Sequence, residues 1–239
     1  MIHPKIVLHY FDARGRAQFI RYYLTVRNVD FVDRRVPLEP DFGSWLAIRK
    51  DRSVSGPFLR LPVMHWGDEL IAETPVIASF LHRHFGDEDI LGGLASRRHQ
   101  QIMSSLYGDM LTQIGTLIWA EVIYAGLDFA PFVQRTFERT KSHVGSLETT
   151  LAEWEWLNSM DKRPIMIADC MIWETLDALM TIFGPHFDLS SWPILQKIHE
   201  RYAHGTAFST LLQSHPCPIT ARDREADVIG RIRAIVAAA

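Results

Sequence analysis

The sequence predicts an α/β domain followed by a larger all-α domain. Three observations carry that prediction. Residues 4–85 alternate short apolar runs with amphipathic helical spacing. A polar, glycine-rich break follows at 86–93. From residue 97 onward only helical spacing remains. The divisions expected are an α/β domain over 1–85, a linker over 86–95, and a helical domain over 96–239 that ends in an extra helix at about 221–238. A chain of 239 residues has room for two such units.

The elements follow in order. Residues 5–10 read as a strand, and 16–26 as a helix with Phe19, Ile20, Tyr23 and Leu24 on one face. A second strand is expected over 31–36. Residues 37–58 are irregular and polar, with a helical turn around 44–50. Strands over 62–66 and 69–72 meet at Gly67-Asp68, a tight hairpin signal. Thr74 is placed to cap the next helix, with Pro75 at its first position, where a missing N–H costs nothing. Helices are then expected over 97–125, 131–157, 167–183, 193–203 and 207–214. At the start of the third of these, Asp169 occupies N3 of a capping box whose N-cap is Met166, so half of the box is missing. After a break at 216–220, Val228, Ile229, Ile232, Ile235 and Val236 give the tail an apolar face that must be buried on its own domain, over the substrate pocket, or against a second copy.

Composition narrows the function. Hydrophobic residues make up 47% and charged residues 22% of the chain, and the net charge is −3 with Lys and Arg scattered. A nucleic-acid surface would need a basic face. No apolar run approaches the roughly 18 residues of a membrane helix, and the first 25 residues carry charges throughout. Two cysteines, Cys170 and Cys217, make no disulfide framework, which points to a reducing cytoplasm. His82 and His84 face different sides of a helix, and His199 and His204 have no carboxylate in register, so no metal site is expected.

The turn between the first strand and the first helix concentrates chemistry. Tyr10, Arg14 and Arg16 bring a hydroxyl and two guanidiniums to a helix N-terminus, an arrangement suited to an anion. The order strand-helix-strand, then hairpin-helix, is that of a thioredoxin-like domain, which places a cis-proline before its third strand. Leu61-Pro62 is the candidate.

The run Tyr10-Phe11-Asp12-Ala13-Arg14-Gly15-Arg16 resembles the N-terminal catalytic stretch of cytosolic, tyrosine-type glutathione transferases (alpha, mu, pi and sigma), with Asp12 where asparagine is commoner. Four further stretches match in order. They are Pro57-Phe58-Leu59-Arg60-Leu61-Pro62, Glu73-Thr74 with the helix after it, Ile167-Ala168-Asp169, and a last helix beginning Thr206-Ala207-Phe208. Together they span residues 5 to about 214.

The resemblance implies glutathione as co-substrate, no metal, and a homodimer that conjugates a small apolar electrophile in a detoxification-type reaction. Neither nucleic acid nor membrane is implied as a partner. Leu61 and Pro62 would pair with the cysteinyl backbone of glutathione, in the manner of an added strand. Thr74 and the helix N-terminus would hold the γ-glutamyl carboxylate, and Glu73 its ammonium. Trp45 and Arg49, or Lys50 if the register is one residue off, would meet the glycine carboxylate; Arg60 belongs to the same surface. Arg14 is favoured as the charge near the sulfur and Arg16 as the more structural arginine. Met103, Tyr107 and Met110 would line the electrophile pocket, although their helical spacing also fits core packing. The family's dimeric members carry an aspartate that reaches the neighbour's glutathione. Here Ser104-Ser105 fall at that place and Asp109 is the nearest carboxylate.

The chemistry is thiol ionisation. A free thiol with a pKa of about 8.5 is only about 3% thiolate at pH 7. Lowering that pKa to about 7 takes roughly 2 kcal/mol, and one hydrogen bond to a charged group contributes about 1.5–3 kcal/mol. A Tyr10 hydroxyl donating to the sulfur would therefore supply most of it, with Arg14 or Arg16 adding favourable charge. No serine or cysteine lies between Phe11 and Ala17 to offer the alternative chemistry. Isomerisation, ether cleavage or peroxide reduction on the same thiolate, and a non-catalytic binding protein with the same fold, remain the competing functions.

Overall fold

A computed structural model describes residues 4–39, 41–124, 126–203, 207–214, 217–222 and 224–239. Thr206 and His204, named above, lie outside the described residues.

The first domain is a four-stranded sheet of order β2-β1-β3-β4, built from β1 (Ile6–Phe11), β2 (Val32–Val36), β3 (Val63–Trp66) and β4 (Glu69–Ala72). β1 runs parallel to β2 and antiparallel to β3, and β3 pairs antiparallel with β4. Alternation sends Ile6, Leu8 and Tyr10 into the core. Helix α1 (Gln18–Val26) is the right-handed crossover that parallel pairing requires. Two short helices follow β2: α2 (Gly43–Ile48) and α3 (Arg52–Ser55). The Leu61-Pro62 bond is cis, as a thioredoxin-like domain demands.

Helix α4 (Thr74–His84) begins with Glu73 as its N-cap, so Thr74 is the first helical residue and Pro75 the second; the cap lies one residue earlier than expected. The glycine-rich stretch read as a linker contains a helix, α5 (Asp87–Leu91). Its Asp87 is fully buried, accepts from Tyr23 Oη at 2.8 Å and pairs with Arg27, so this stretch is pinned to α1.

In the helical domain, the single helix expected over 97–125 is three pieces: α6 (Gly93–Ser105), a π-helical turn (Leu106–Leu111) and α7 (Thr112–Ile123). Helix α8 (Phe129–Glu153) and the short α9 (Trp156–Met160) follow. Helix α10 (Ile167–Phe183) is buried on nearly every side and is the axis of the domain, which is why its sequence is apolar almost throughout. Its N-terminus is well tied. The Asp169 carboxylate accepts from Met166 N–H at 2.8 Å and from Trp156 Nε1 at 3.0 Å, and is gripped by Arg163. Helices α11 (Pro193–Ala203), α12 (Ala207–Ser214) and α13 (Glu225–Ala237) complete the chain.

Aromatic rings join the two domains. Tyr22 on α1 meets Trp173 on α10 at 5.1 Å and Phe208 on α12 at 4.7 Å, ring centre to ring centre. The tail packs on its own domain: α13 lies against α8 and α10, and Arg233 donates to the Thr181 and Ile182 carbonyls at the C-terminal end of α10. No helix among the described residues is long and apolar enough to cross a membrane.

Candidate functional site

Two hollows meet at the C-terminal end of β1, and the Phe11 ring belongs to both. The first is a cleft of about 490 Å³, lined by Phe11, Trp45, Arg49, Phe58, Leu59, Arg60 and Leu61. It therefore unites Trp45, Arg49, Arg60 and Leu61, four of the residues singled out in the sequence. Trp45 meets the edge of Phe11 at 5.6 Å. Lys50 is exposed and outside the lining, whereas Arg49 and Arg60 are part of it. Pro62, Glu73 and Thr74 are not part of the lining. They lie beside one another past the end of the β3–β4 ladder, where Val63 faces Ala72.

Two features mark that end. Glu73 has a φ of +71°, an unfavourable conformation for a residue with a side chain. Thr74 is 1% exposed, and its hydroxyl has no hydrogen-bond partner among the described residues. A buried hydroxyl left unmet is costly, and a ligand oxygen would satisfy it.

The second hollow is an apolar cavity of about 320 Å³ on the other side of Phe11. Its walls include Tyr10, Phe42 and Leu38 from the first domain, Ile114 and Trp119 from α7, and Ile219 from the tail. Tyr10 is 7% exposed, and its hydroxyl accepts the Arg16 backbone N–H at 2.8 Å. That bond uses a lone pair and leaves the phenolic proton available to another acceptor. Burial pushes the phenol above its ordinary pKa of about 10, outweighing the Arg16 hydrogen bond and the Arg16 and Arg21 charges that act the other way. At neutral pH it is a donor and not a base.

The arginines exchange the roles expected of them. Arg14 is buried and makes a bidentate pair with Glu174, at 3.0 and 2.8 Å, plus a 2.7 Å contact to Asp177. Its charge is matched by two carboxylates, so it ties the β1–α1 turn to α10 and supplies no free positive field. Arg16 lines the apolar cavity beside Tyr10; its guanidinium rests over the Tyr107 ring at 5.6 Å and has no carboxylate partner among the described residues. Arg21, which the sequence did not bring forward, is fully buried under the turn. It is bound to Asp33, to the Ala13 and Phe11 carbonyls and to Gln18.

Three residues expected at the electrophile pocket lie elsewhere. Met103 and Met110 are core residues, at 5% and 3% exposure, and Met110 borders a different hollow between α6 and α8. Tyr107 touches the site only through Arg16. Met103 precedes the π-helical turn over Leu106–Leu111, and Tyr107 and Met110 lie within it. From this stretch the cavity is walled instead by Leu111, at the end of the turn, and by Ile114, Ile118 and Trp119 beyond it. Asp109 is half-buried within that turn.

The tail supplies the remaining wall. Pro218 O accepts Arg14 N–H at 2.8 Å, Arg222 pairs with Asp12 at 3.1 Å, and Arg224 rests over Trp119 at 4.5 Å. Asp12, the unusual residue of the turn, also holds Arg35 at 3.1 Å. Nothing in the sequence pattern marks Phe42, Trp119 or Ile219 as wall residues. Glu174 did carry a signal, because a carboxylate on a helix buried all round needs a cation. Among the described residues no three His, Cys, Asp or Glu side chains gather at metal-binding spacing.

No family model matches the chain. Curated relatives do. A glutathione S-transferase of Plasmodium falciparum (isolate 3D7) is 31% identical over 81 residues, 34% of this chain and 37% of that protein. A glutathione S-transferase P of Caenorhabditis elegans is 28% identical over 199 residues, 82% of this chain and 86% of that protein. Among solved structures, that of the glutathione S-transferase Blo t 8 superposes with a TM-score of 0.73 at 19% identity, over 90% of this chain and 97% of that one. The chain is similar to glutathione transferases in sequence over part or most of its length and in fold over nine-tenths of it. It spans little more than a third of the first of these relatives, and the structural likeness at 19% identity speaks for the fold alone. The cleft lies in the thioredoxin-like domain, and the apolar cavity lies between that domain and the helices.

Proposed function

We propose that this chain is a tyrosine-type glutathione transferase. Glutathione lies in the cleft with its cysteinyl backbone along Leu61. Its glycine carboxylate is met by Arg49 and Trp45, its γ-glutamyl carboxylate by the Thr74 hydroxyl and the start of α4, and its ammonium by Glu73. The thiol then points past Phe11 towards Tyr10. The phenol donates its proton to the sulfur and stabilises the thiolate, and the unpaired Arg16 guanidinium adds favourable charge. The thiolate attacks an electrophile held in the apolar cavity. Raising the thiolate fraction at pH 7 about 15-fold leaves the remaining acceleration to orientation of the electrophile against the sulfur.

The observation that carries this reading is the Tyr10–Arg16 hydrogen bond in the wall of the apolar cavity, next to the Phe11 that both hollows share, with the phenol held protonated. Replacing Tyr10 by Phe removes one charge-assisted hydrogen bond and is expected to lower conjugation of an aryl halide by about 10- to 150-fold, with glutathione affinity nearly unchanged. Conjugation at the native rate would sink the assignment. A panel of isomerisation and peroxide substrates separates conjugation from other reactions of the same thiolate.

A homodimer and a reducing cytoplasm belong to the same reading. Phe58 is 60% exposed at the rim of the cleft, and the hollow of about 340 Å³ between α6 and α8 is of a size to receive such a ring from a second copy. Phe58→Ala should then shift sedimentation towards the monomer. Cys170 and Cys217 are both free and buried, in keeping with a compartment that keeps thiols reduced.

A further inference from the structure

Helix α2 touches both hollows. Its N-cap residue, Phe42, lines the apolar cavity, while Trp45 within it and Arg49, its C-cap, line the cleft. Phe42 O accepts the N–H of Leu46 at 2.8 Å, and Trp45 O accepts that of Arg49 at 2.8 Å, so these residues form one hydrogen-bonded unit. At 1.5 Å per residue the unit spans about 10 Å. A displacement at its cleft end is therefore carried to its cavity end.

The cavity end is gripped from the other domain. The Phe42 ring meets Trp119 at 5.0 Å, and Trp119 has the Arg224 guanidinium 4.5 Å from its ring centre. Loop, helix α7 and tail thus meet at one indole, and all three supply walls of the cavity. Phe42 adopts a φ of +57° and a ψ of +25°, a left-handed conformation seldom taken by a residue of its bulk. It is only half-buried there. A ring held in an unfavourable backbone conformation at the wall of an open cavity has its position fixed by Trp119, without the support of a packed core.

We infer that Phe42 is a specificity-determining residue: it transmits occupancy of the cleft by glutathione to the shape of the apolar cavity, so that the second substrate binds better once glutathione is in place. The inference rests on the reading of the cleft as a glutathione site. Binding at Arg49 and Trp45 holds α2, which holds the Phe42 ring against Trp119 and fixes the cavity wall. By linkage, an apolar ligand in the cavity strengthens glutathione binding by the same factor.

The test uses the full chain, with anilinonaphthalene sulfonate as the cavity probe and calorimetry for glutathione. In the native protein, saturating glutathione should tighten probe binding by about fivefold or more. In Phe42→Gly the gain should fall to about unity, because the ring is gone while glycine accepts the left-handed backbone without strain, so the fold is kept. Phe42→Leu, which keeps apolar bulk but not the flat contact with Trp119, should give an intermediate gain. Thermal melting of each variant checks that the fold persists. Equal gain in Phe42→Gly and native protein, or no gain in the native protein, overturns the inference while leaving the glutathione reading intact. Absence of glutathione binding to the native chain overturns both.

Discussion

The Tyr10 hydroxyl and the Arg16 backbone N–H meet at 2.8 Å across a turn that admits no side chain at residue 15. Gly15 has a φ of +40°, and a Cβ built there would fall 2.3 Å from Tyr10 Oη. The glycine therefore keeps the Tyr10 hydroxyl where the proposed mechanism needs it. Gly15→Ala should destabilise the protein by about 1–3 kcal/mol through backbone strain alone. By displacing the hydroxyl it should also lower conjugation as far as Tyr10→Phe does. Melting curves and initial rates read the two effects separately.

The exchanged roles of Arg14 and Arg16 give opposite expectations for two similar substitutions. Arg14→Ala leaves Glu174 buried without its partner, a change that costs about 3–5 kcal/mol for such pairs. Arg16→Gln breaks no ion pair, so stability should change by less than about 0.5 kcal/mol. Its effect should appear in the pH–rate profile. Loss of a positive charge near the sulfur raises the thiol pKa, so the rising limb of activity moves to higher pH. Chemical denaturation and pH–rate curves on both variants check the pair of outcomes.

Thr74 distinguishes a ligand-binding hydroxyl from a structural one. Because its hydroxyl is buried and unmet among the described residues, Thr74→Val should leave stability unchanged or slightly raised. The same change removes a donor to the γ-glutamyl carboxylate and should weaken glutathione binding by about 10- to 150-fold. Calorimetry and thermal melting decide it; unchanged affinity would remove Thr74 from the site.

His99 makes stability sensitive to mild acid. It is 2% exposed, stacks on Trp156 at 4.1 Å, and burial pushes its pKa down to about 3. In the unfolded chain the group titrates near its ordinary value of about 6.5. Between those values the unfolded state binds a proton that the folded state refuses, so stability is complete above about 6.5 and falls as pH drops. The slope is on the order of 1 kcal/mol per pH unit. Asp169 acts in the same direction lower down. Burial opposes its ionisation, but the Arg163 hydrogen bonds and charge hold its pKa below the ordinary carboxylate value, so its contribution is lost as pH falls through the folded pKa. His99→Phe should flatten the upper part of the profile, measured by urea unfolding between about pH 4 and 7.

Elements with a strong period were legible in the sequence. The helices Pro193–Ala203 and Ala207–Ser214 and the strand Glu69–Ala72 have the limits that their periodicity predicts, because spacing and turn residues act over a few neighbours. The divergence at residues 106–111 has a different origin. One added residue in a helical turn leaves composition and apolar spacing almost unaltered, yet it changes the direction in which every later side chain points, and Ile114 and Trp119, both beyond the turn, are the residues at the cavity.

The sequence by itself determined the two-part architecture, the tyrosine at the end of the first strand, the absence of a rival nucleophile in its turn, and the arginine and tryptophan after the second strand. These follow from local patterns, which are complete within a short stretch of chain. Only the tertiary structure decided which arginine stays unpaired, which apolar residues wall the cavity, and that the tail, through Pro218, Arg222 and Arg224, closes over the Tyr10 turn. Each of those depends on contacts between groups far apart in the chain, Arg14 with Glu174 foremost, and a charge is free or neutralised according to a partner that its neighbours in sequence do not reveal.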